Sequence, residues 1–172
     1  LDYGSYSLDT TNQTVTFSVS YTTNPDAGIA DGTESDFTVQ DDSLTLSNDA
    51  GNFGFEHQSD GTGLAGTWRE DAQVLVLTED GHFLYAEDNS GDAPNGLEAG
   101  TYDYDATNQQ LTLTPEYDDN RDSPAGEEAG GGLIWQDASG SSQPQTVGVG
   151  DLTASTLTLT YEGNTIMDLN RQ

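Results

Sequence analysis

The chain has 172 residues, with 31 acidic side chains against three arginines, no lysine and no cysteine, and a formal net charge of −28 at pH 7. This length suits one domain or two small ones. Without cysteine, disulfides and thiolate metal sites are excluded. The charge disfavours nucleic acid and anionic lipid as partners, because like charges repel.

Apolar and polar residues alternate with period two along most of the chain, whereas helical spacing is nearly absent. Short turns with Gly follow two of these stretches, at 79–81 and 162–164, and such turns suit tight hairpins. The pattern predicts an all-β antiparallel meander. In chain order, the residues that share a strand face are Val15, Phe17, Val19 and Tyr21; Leu44 and Leu46; Tyr102 and Tyr104; Leu111 and Leu113; and Leu157, Leu159 and Tyr161.

The meander contains an internal repeat. "LDYGSYSLDTTNQTVTF" (1–17) and "LEAGTYDYDATNQQLTL" (97–113) are identical at eight of seventeen positions. The second copy has about eight predicted strands, and the first copy enters at the fourth of them. We therefore predict a partial β repeat over 1–58, a linker over 59–65 and a complete β unit over 66–172.

"GTWREDAQVLVLTEDGHFLYAED" (66–88) resembles the opening of lipocalin-like (calycin) barrels, which begin with a Gly-x-Trp strand. "GLEAGTYDYDATNQQLTLT" is similar to lipocalin-like repeats of bacterial secreted and surface proteins. The resemblance implies an antiparallel barrel. It also implies that Arg171 packs over Trp68 and closes one barrel end.

Residues with catalytic chemistry form no known motif. The two histidines, His57 and His82, lack metal-ligand spacing, and we expect no enzyme activity and no cofactor. Calcium is the one metal that the acidic loops favour, since it takes oxygen ligands. The candidate ligands are Asp118, Asp119, Asp122, Asp88 and Asp92.

A repeat that lacks its first strands leaves sheet edges open, and open edges pair with other strands. Three arrangements would satisfy them: addition to the complete barrel, missing strands upstream in a longer chain, or strands donated by a neighbouring subunit. The predicted assembly strands carry Tyr6, Leu8, Val15, Phe17 and Val19.

These features predict an extracellular, cell-surface protein adapted to high salt, with a structural or adhesive role as a filament, surface layer or adhesin. Its expected partners are copies of itself or other surface proteins, without a membrane span. The alternative is a lipocalin-like carrier of a small apolar ligand. A filled barrel core is favoured over a ligand cavity. A hydrolase with an unrecognised carboxylate pair is the third hypothesis.

Overall fold

Every regular element among the described residues is a β-strand, as the alternation predicts. The computed structural model describes residues 2–22, 29–41, 43–56, 63–87, 96–118, 133–134 and 141–172. No helix in this part of the chain is long and apolar enough to cross a membrane. The chain divides into two compact units, Leu1–Gln58 and Ser59–Gln172.

Unit 1 is a five-stranded antiparallel sheet in which each strand pairs with the next, in the order β1-β2-β3-β4-β5. Its five strands match the five that the alternation predicts for the partial repeat. The strands are β1 (Asp2–Asp9), β2 (Thr14–Thr22), β3 (Glu34–Gln40), β4 (Ser43–Asn48) and β5 (Gly51–Glu56).

Unit 2 is a closed antiparallel barrel of eight strands, in the order β10-β11-β12-β13-β6-β7-β8-β9. The fold class is therefore confirmed: an all-β chain with a barrel and a second, partial sheet. The strands are β6 (Gly66–Glu70), β7 (Gln73–Leu77), β8 (His82–Glu87), β9 (Gly96–Asp105), β10 (Gln110–Asp118), β11 (Gln145–Leu152), β12 (Thr156–Tyr161) and β13 (Asn164–Arg171).

The barrel interior is packed with apolar side chains that alternate with polar residues along the strands. Because every second residue of a strand faces inward, the period-two pattern produces this core directly. The core residues are Leu64, Trp68, Leu75, Leu77, Phe83, Tyr85, Leu111, Leu113, Leu133, Ile134, Val147, Val149, Leu157, Leu159, Met167 and Leu169.

One hairpin turn occurs twice, after β1 and after β9. Asp9 accepts hydrogen bonds from the main-chain N–H of Asn12 at 3.1 Å and from its side-chain amide at 2.8 Å. Asp105 accepts the same two bonds from Asn108, at 3.0 and 2.7 Å. These bonds stabilise the ionised carboxylate, so the pKa of both aspartates lies below its usual value.

Candidate functional site

Trp68 and Arg171 meet at one end of the barrel. Their strands, β6 and β13, are paired, and the two residues are register partners. The guanidinium carbon of Arg171 lies 4.2 Å from the centroid of the Trp68 ring, a distance at which a cation is attracted to the ring face. Trp68 is fully buried, and its indole N–H donates to the Leu64 carbonyl at 2.8 Å.

The first residue of the Gly-x-Trp strand makes room for this arrangement. A Cβ atom on Gly66 would lie 2.5 Å from Nη1 of Arg171, and the φ angle of Gly66 is +144°, which a side chain would strain. The guanidinium then donates to the carbonyls of Ala65 at 2.9 Å and Gly63 at 2.6 Å. The arginine therefore ties the chain before β6 to the last strand.

Two glutamates, Glu87 and Glu98, are buried within unit 2, and sequence reasoning missed both. Glu98 is the register partner of Tyr85 on β8 and of Asp118 on β10. The Tyr85 hydroxyl donates to Oε2 of Glu87 at 2.9 Å, and the Ser142 hydroxyl donates to Asp118. The sequence does contain a signal for the burial of Glu98. The alternation in 96–105 places it on the same strand face as Tyr102 and Tyr104.

Glu98 holds a short segment of chain against the barrel. Its Oε2 atom accepts the main-chain N–H of Ile134 at 3.0 Å, and its Oε1 atom accepts that of Leu133 at 3.1 Å. Burial raises the pKa of Glu98 well above its usual value, with the charges of Asp118 and Glu87 adding to the rise, although the two main-chain N–H groups oppose it. Since Leu133 and Ile134 are core residues, Glu98 fixes where this segment enters the core.

The predicted calcium ligands are mostly outside the part of the chain that the structure describes. Asp88, Asp92, Asp119 and Asp122 lie there. Asp118 is described, and it contacts Ser142. Among the described residues, no group of three or more acidic, histidine or cysteine side chains could hold a metal ion. The calcium site remains a prediction.

The two histidines are in different situations. His57 lies outside the described residues. His82 is exposed at the start of β8, and its Nδ1 atom lies 3.2 Å from Oδ1 of Asp80 in the preceding turn. The Thr78 hydroxyl donates to Asp80 and to the main-chain carbonyl of His82, so these groups hold the turn before β8.

Unit 1 repeats the last five strands of the barrel, strand for strand. In the first hairpin Leu8 pairs with Val15, and in the barrel Tyr104 pairs with Leu111, which is the same register shifted by 96 residues. One register irregularity also coincides, between Tyr3 and Gly4 in unit 1 and between Ala99 and Gly100 in the barrel. In pairing order β3 corresponds to β11, β4 to β12 and β5 to β13, although the barrel has register shifts between Val149 and Leu152 and between Leu159 and Thr160 that the equivalent pairs of unit 1 lack.

The strands of unit 1 present one apolar face and one polar face. The predicted assembly residues lie on the apolar face: Tyr6 and Leu8 are exposed on β1, Val15 is buried on β2, and Phe17 and Val19 are half-buried. Sequence reasoning did not assign three further exposed residues to this face. They are Val39, Phe53 and Phe55.

This apolar face forms a concavity of about 820 Å³. Phe17, Leu46, Phe53 and Phe55 line it, together with Ile29 from the chain that precedes β3 and with polar residues that include Glu34, Asp36 and Asp49. Among the described strands, β1 pairs with β2 alone and β5 with β4 alone. The face therefore lies between two sheet edges that have no described partner strand.

The eight antiparallel strands and the packed Trp–Arg barrel end agree in architecture with the lipocalin-like barrel that the sequence resembles. We found no match to a protein-family model, to a curated protein or to a solved structure.

Proposed function

We propose that this chain is an extracellular structural or adhesive protein that assembles through β-strand contacts at the sheet of unit 1. One observation carries the proposal: this sheet has an exposed apolar face between two edges that pair with no described strand. Exposed edges of this kind are templates for another chain. The product of the assembly is a filament or a surface layer.

The two edges lack several of the features that prevent pairing, although β1 has a register irregularity between Tyr3 and Gly4. Natural edge strands are protected by Lys, by Pro or by being very short. Strand β1 has eight residues and β5 has six, and neither contains Lys or Pro. Because the edges differ from each other, contacts between them are heterologous, and heterologous contacts that do not close produce open filaments.

The composition supports an extracellular location in salt-rich surroundings. A net charge of −28 on 172 residues destabilises a compact chain through self-repulsion unless ions screen it. The barrel also supports kinship with the lipocalin-like repeats of bacterial secreted and surface proteins, through its strand number and the Gly66, Trp68 and Arg171 arrangement.

The filled barrel favours a structural role over carriage of a ligand. A carrier needs an internal cavity, whereas sixteen apolar side chains pack together inside the barrel. A non-enzymatic role is favoured by the burial of Glu87 and Glu98, since their carboxyl groups are not accessible to a substrate in this conformation.

The experiment is sedimentation velocity across a concentration series, together with negative-stain electron microscopy of the same samples. We expect species larger than one chain, and fibres or sheets on the grid. Phe53→Lys places a charge on the apolar face of β5 and should abolish assembly. Thr45→Lys is the matched control, because it adds the same charge on the polar face of the inner strand β4, away from both edges.

A chain that stays monomeric at every concentration and salt would contradict the proposal. So would equal loss of assembly in both variants, because a charge effect alone would then explain the result. Circular dichroism of each variant checks that the sheet remains folded.

A further inference from the structure

The two units differ in exposure at equivalent positions. Phe53 and Phe55 of β5 occupy the positions that Met167 and Leu169 occupy in β13. In each unit the two residues pair with two leucines of the preceding strand, two positions apart. Phe53 is 44% exposed and Phe55 is 47% exposed, whereas Met167 is 4% exposed and Leu169 is 1% exposed. The sequence of the strand does not explain this difference, since all four side chains are large and apolar.

Three additional strands do explain it. In the barrel, β6, β7 and β8 lie between β13 and β9 and close the sheet. They contribute large inward side chains, including Trp68, Leu75, Phe83 and Tyr85, to the core that buries Met167 and Leu169. Unit 1 has the equivalents of β9 and β13 but no described equivalent of these three strands.

We propose that unit 1 binds a three-stranded antiparallel segment with the chemistry of β6–β8, supplied from outside residues 1–172, which completes an eight-stranded barrel. The inference rests on the proposed function and identifies the partner of the assembling sheet. One outer strand of the segment pairs with the open edge of β5, the other pairs with the open edge of β1, and the apolar side chains between them fill the concavity.

The edge of β1 already has the shape that such a strand requires. In the barrel, Phe83 of β8 is the register partner of Gly100, and its ring carbon Cε1 would lie 3.0 Å from a Cβ atom at that position. Gly4 is the equivalent of Gly100. An aromatic residue in the partner strand therefore fits opposite Gly4 as Phe83 does opposite Gly100.

Exchange of β6–β8 between identical copies does not satisfy the open edges. These strands close the barrel of their own chain, so a copy that donates them opens its own barrel, and the number of open edges stays the same. The segment is therefore not β6–β8 of a second copy, whose own barrel uses these strands. Its inward residues alternate large apolar side chains, as β7 and β8 do.

The test supplies this segment within the full chain. Residues 63–96 are copied and joined directly in front of Leu1, which takes the place of Leu97 in the repeat. Amide hydrogen exchange is then compared strand by strand with that of the parent chain. We expect exchange in β1 and β5 to slow by about tenfold or more, and the fluorescence of a dye that binds exposed apolar surface to fall.

A matched graft carries Ser in place of the inward Leu75, Leu77 and Phe83 within the added copy only. It has the same length and connection, and we expect it to leave exchange in β1 and β5 at the parent rate. Unchanged exchange with the intact graft would overturn the inference.

The results also separate this inference from the proposed function. If the graft protects unit 1 but the parent chain never assembles, the inference stands and the proposed function fails. If the parent assembles but the graft leaves β1 and β5 unprotected, the inference alone fails.

Discussion

Gly100 lies so close to Thr114 on the neighbouring strand that a Cβ atom on the glycine would be 2.1 Å from the threonine carbonyl oxygen. Gly4 has the same relationship to Ser18, at 2.0 Å. Both contacts fall where the strand register shifts, between Tyr3 and Gly4 in unit 1 and at the equivalent place in the barrel. The repeat therefore preserves a local backbone geometry as well as a sequence, and glycine is what permits that geometry.

Gly4→Ala should destabilise unit 1. The added methyl group overlaps a carbonyl oxygen of the main chain, which cannot move without disturbing the hairpin, and overpacking of this kind costs about 1–3 kcal/mol. Gly54→Ala is the control in the same sheet, because a Cβ atom there meets nothing within 4 Å. Urea unfolding followed by hydrogen exchange in β1 and β2 measures both, and equal stability of the two variants would rule out the steric explanation.

Trp68→Ala should destabilise unit 2 by about 3–5 kcal/mol, since it leaves a large cavity at a fully buried position. Arg171→Ala should cost less, by the loss of the cation–π contact, worth about 0.5–2 kcal/mol, and of two main-chain hydrogen bonds. Arg69→Ala removes the same charge from an exposed site on β6 and serves as control. Equilibrium urea unfolding gives the free energies; a small effect of Trp68→Ala would disprove its role in closing the barrel.

The buried Glu98 should make unit 2 less stable as pH rises. Its folded-state pKa lies well above the unfolded value of 4.5, so the folded barrel binds the proton more tightly than the unfolded chain does. Its contribution to stability is fully present below pH 4.5 and is lost as pH rises through the folded-state pKa. We therefore expect the free energy of unfolding to decrease from mildly acidic towards neutral pH.

Glu98→Gln tests this assignment, because glutamine keeps a carbonyl acceptor for the N–H groups of Leu133 and Ile134 but does not ionise. Its stability relative to the parent should increase with pH. Glu116→Gln removes the same charge from an exposed site on the next strand, and its effect should vary much less with pH. Urea unfolding at several pH values between 4.5 and 8 makes the comparison. Parallel curves for the parent and Glu98→Gln would show that Glu98 does not govern the pH dependence.

The sequence was sufficient to predict most of the strands, because inward and outward residues alternate along them, but it did not assign β11 (Gln145–Leu152). It could not predict the buried carboxylates in the same way. Glu98 is surrounded by Tyr85 and Asp118 only once three strands are in register, and an acidic residue on an apolar face is normally read as solvent-exposed. The exposure of Phe53 and Phe55 could not be predicted from the sequence either, because it depends on which strands pair beside β5.

Trp68 and Arg171 are a different case. They are distant in the sequence, and alternation says nothing about their contact. It was expected only because the Gly-x-Trp strand and the late arginine resemble those of lipocalin-like barrels. The structure supplies the physical reason, which is the pairing of β6 with β13 and the space that Gly66 leaves for the guanidinium.

The melting temperature should rise with salt, because 31 acidic residues face only three arginines. Screening shortens the range of charge repulsion from about 10 Å at 0.1 M salt to about 3 Å at 1 M. Differential scanning calorimetry in a sodium chloride series measures the dependence, with sucrose as an uncharged solute that tests for general stabilisation.

A variant with Glu34→Gln, Asp36→Asn and Asp49→Asn has three fewer charges on exposed positions of unit 1 and should show a smaller salt dependence. A melting temperature that does not change between low and high salt would contradict the adaptation to saline surroundings, and the acidic surface would then need a different explanation.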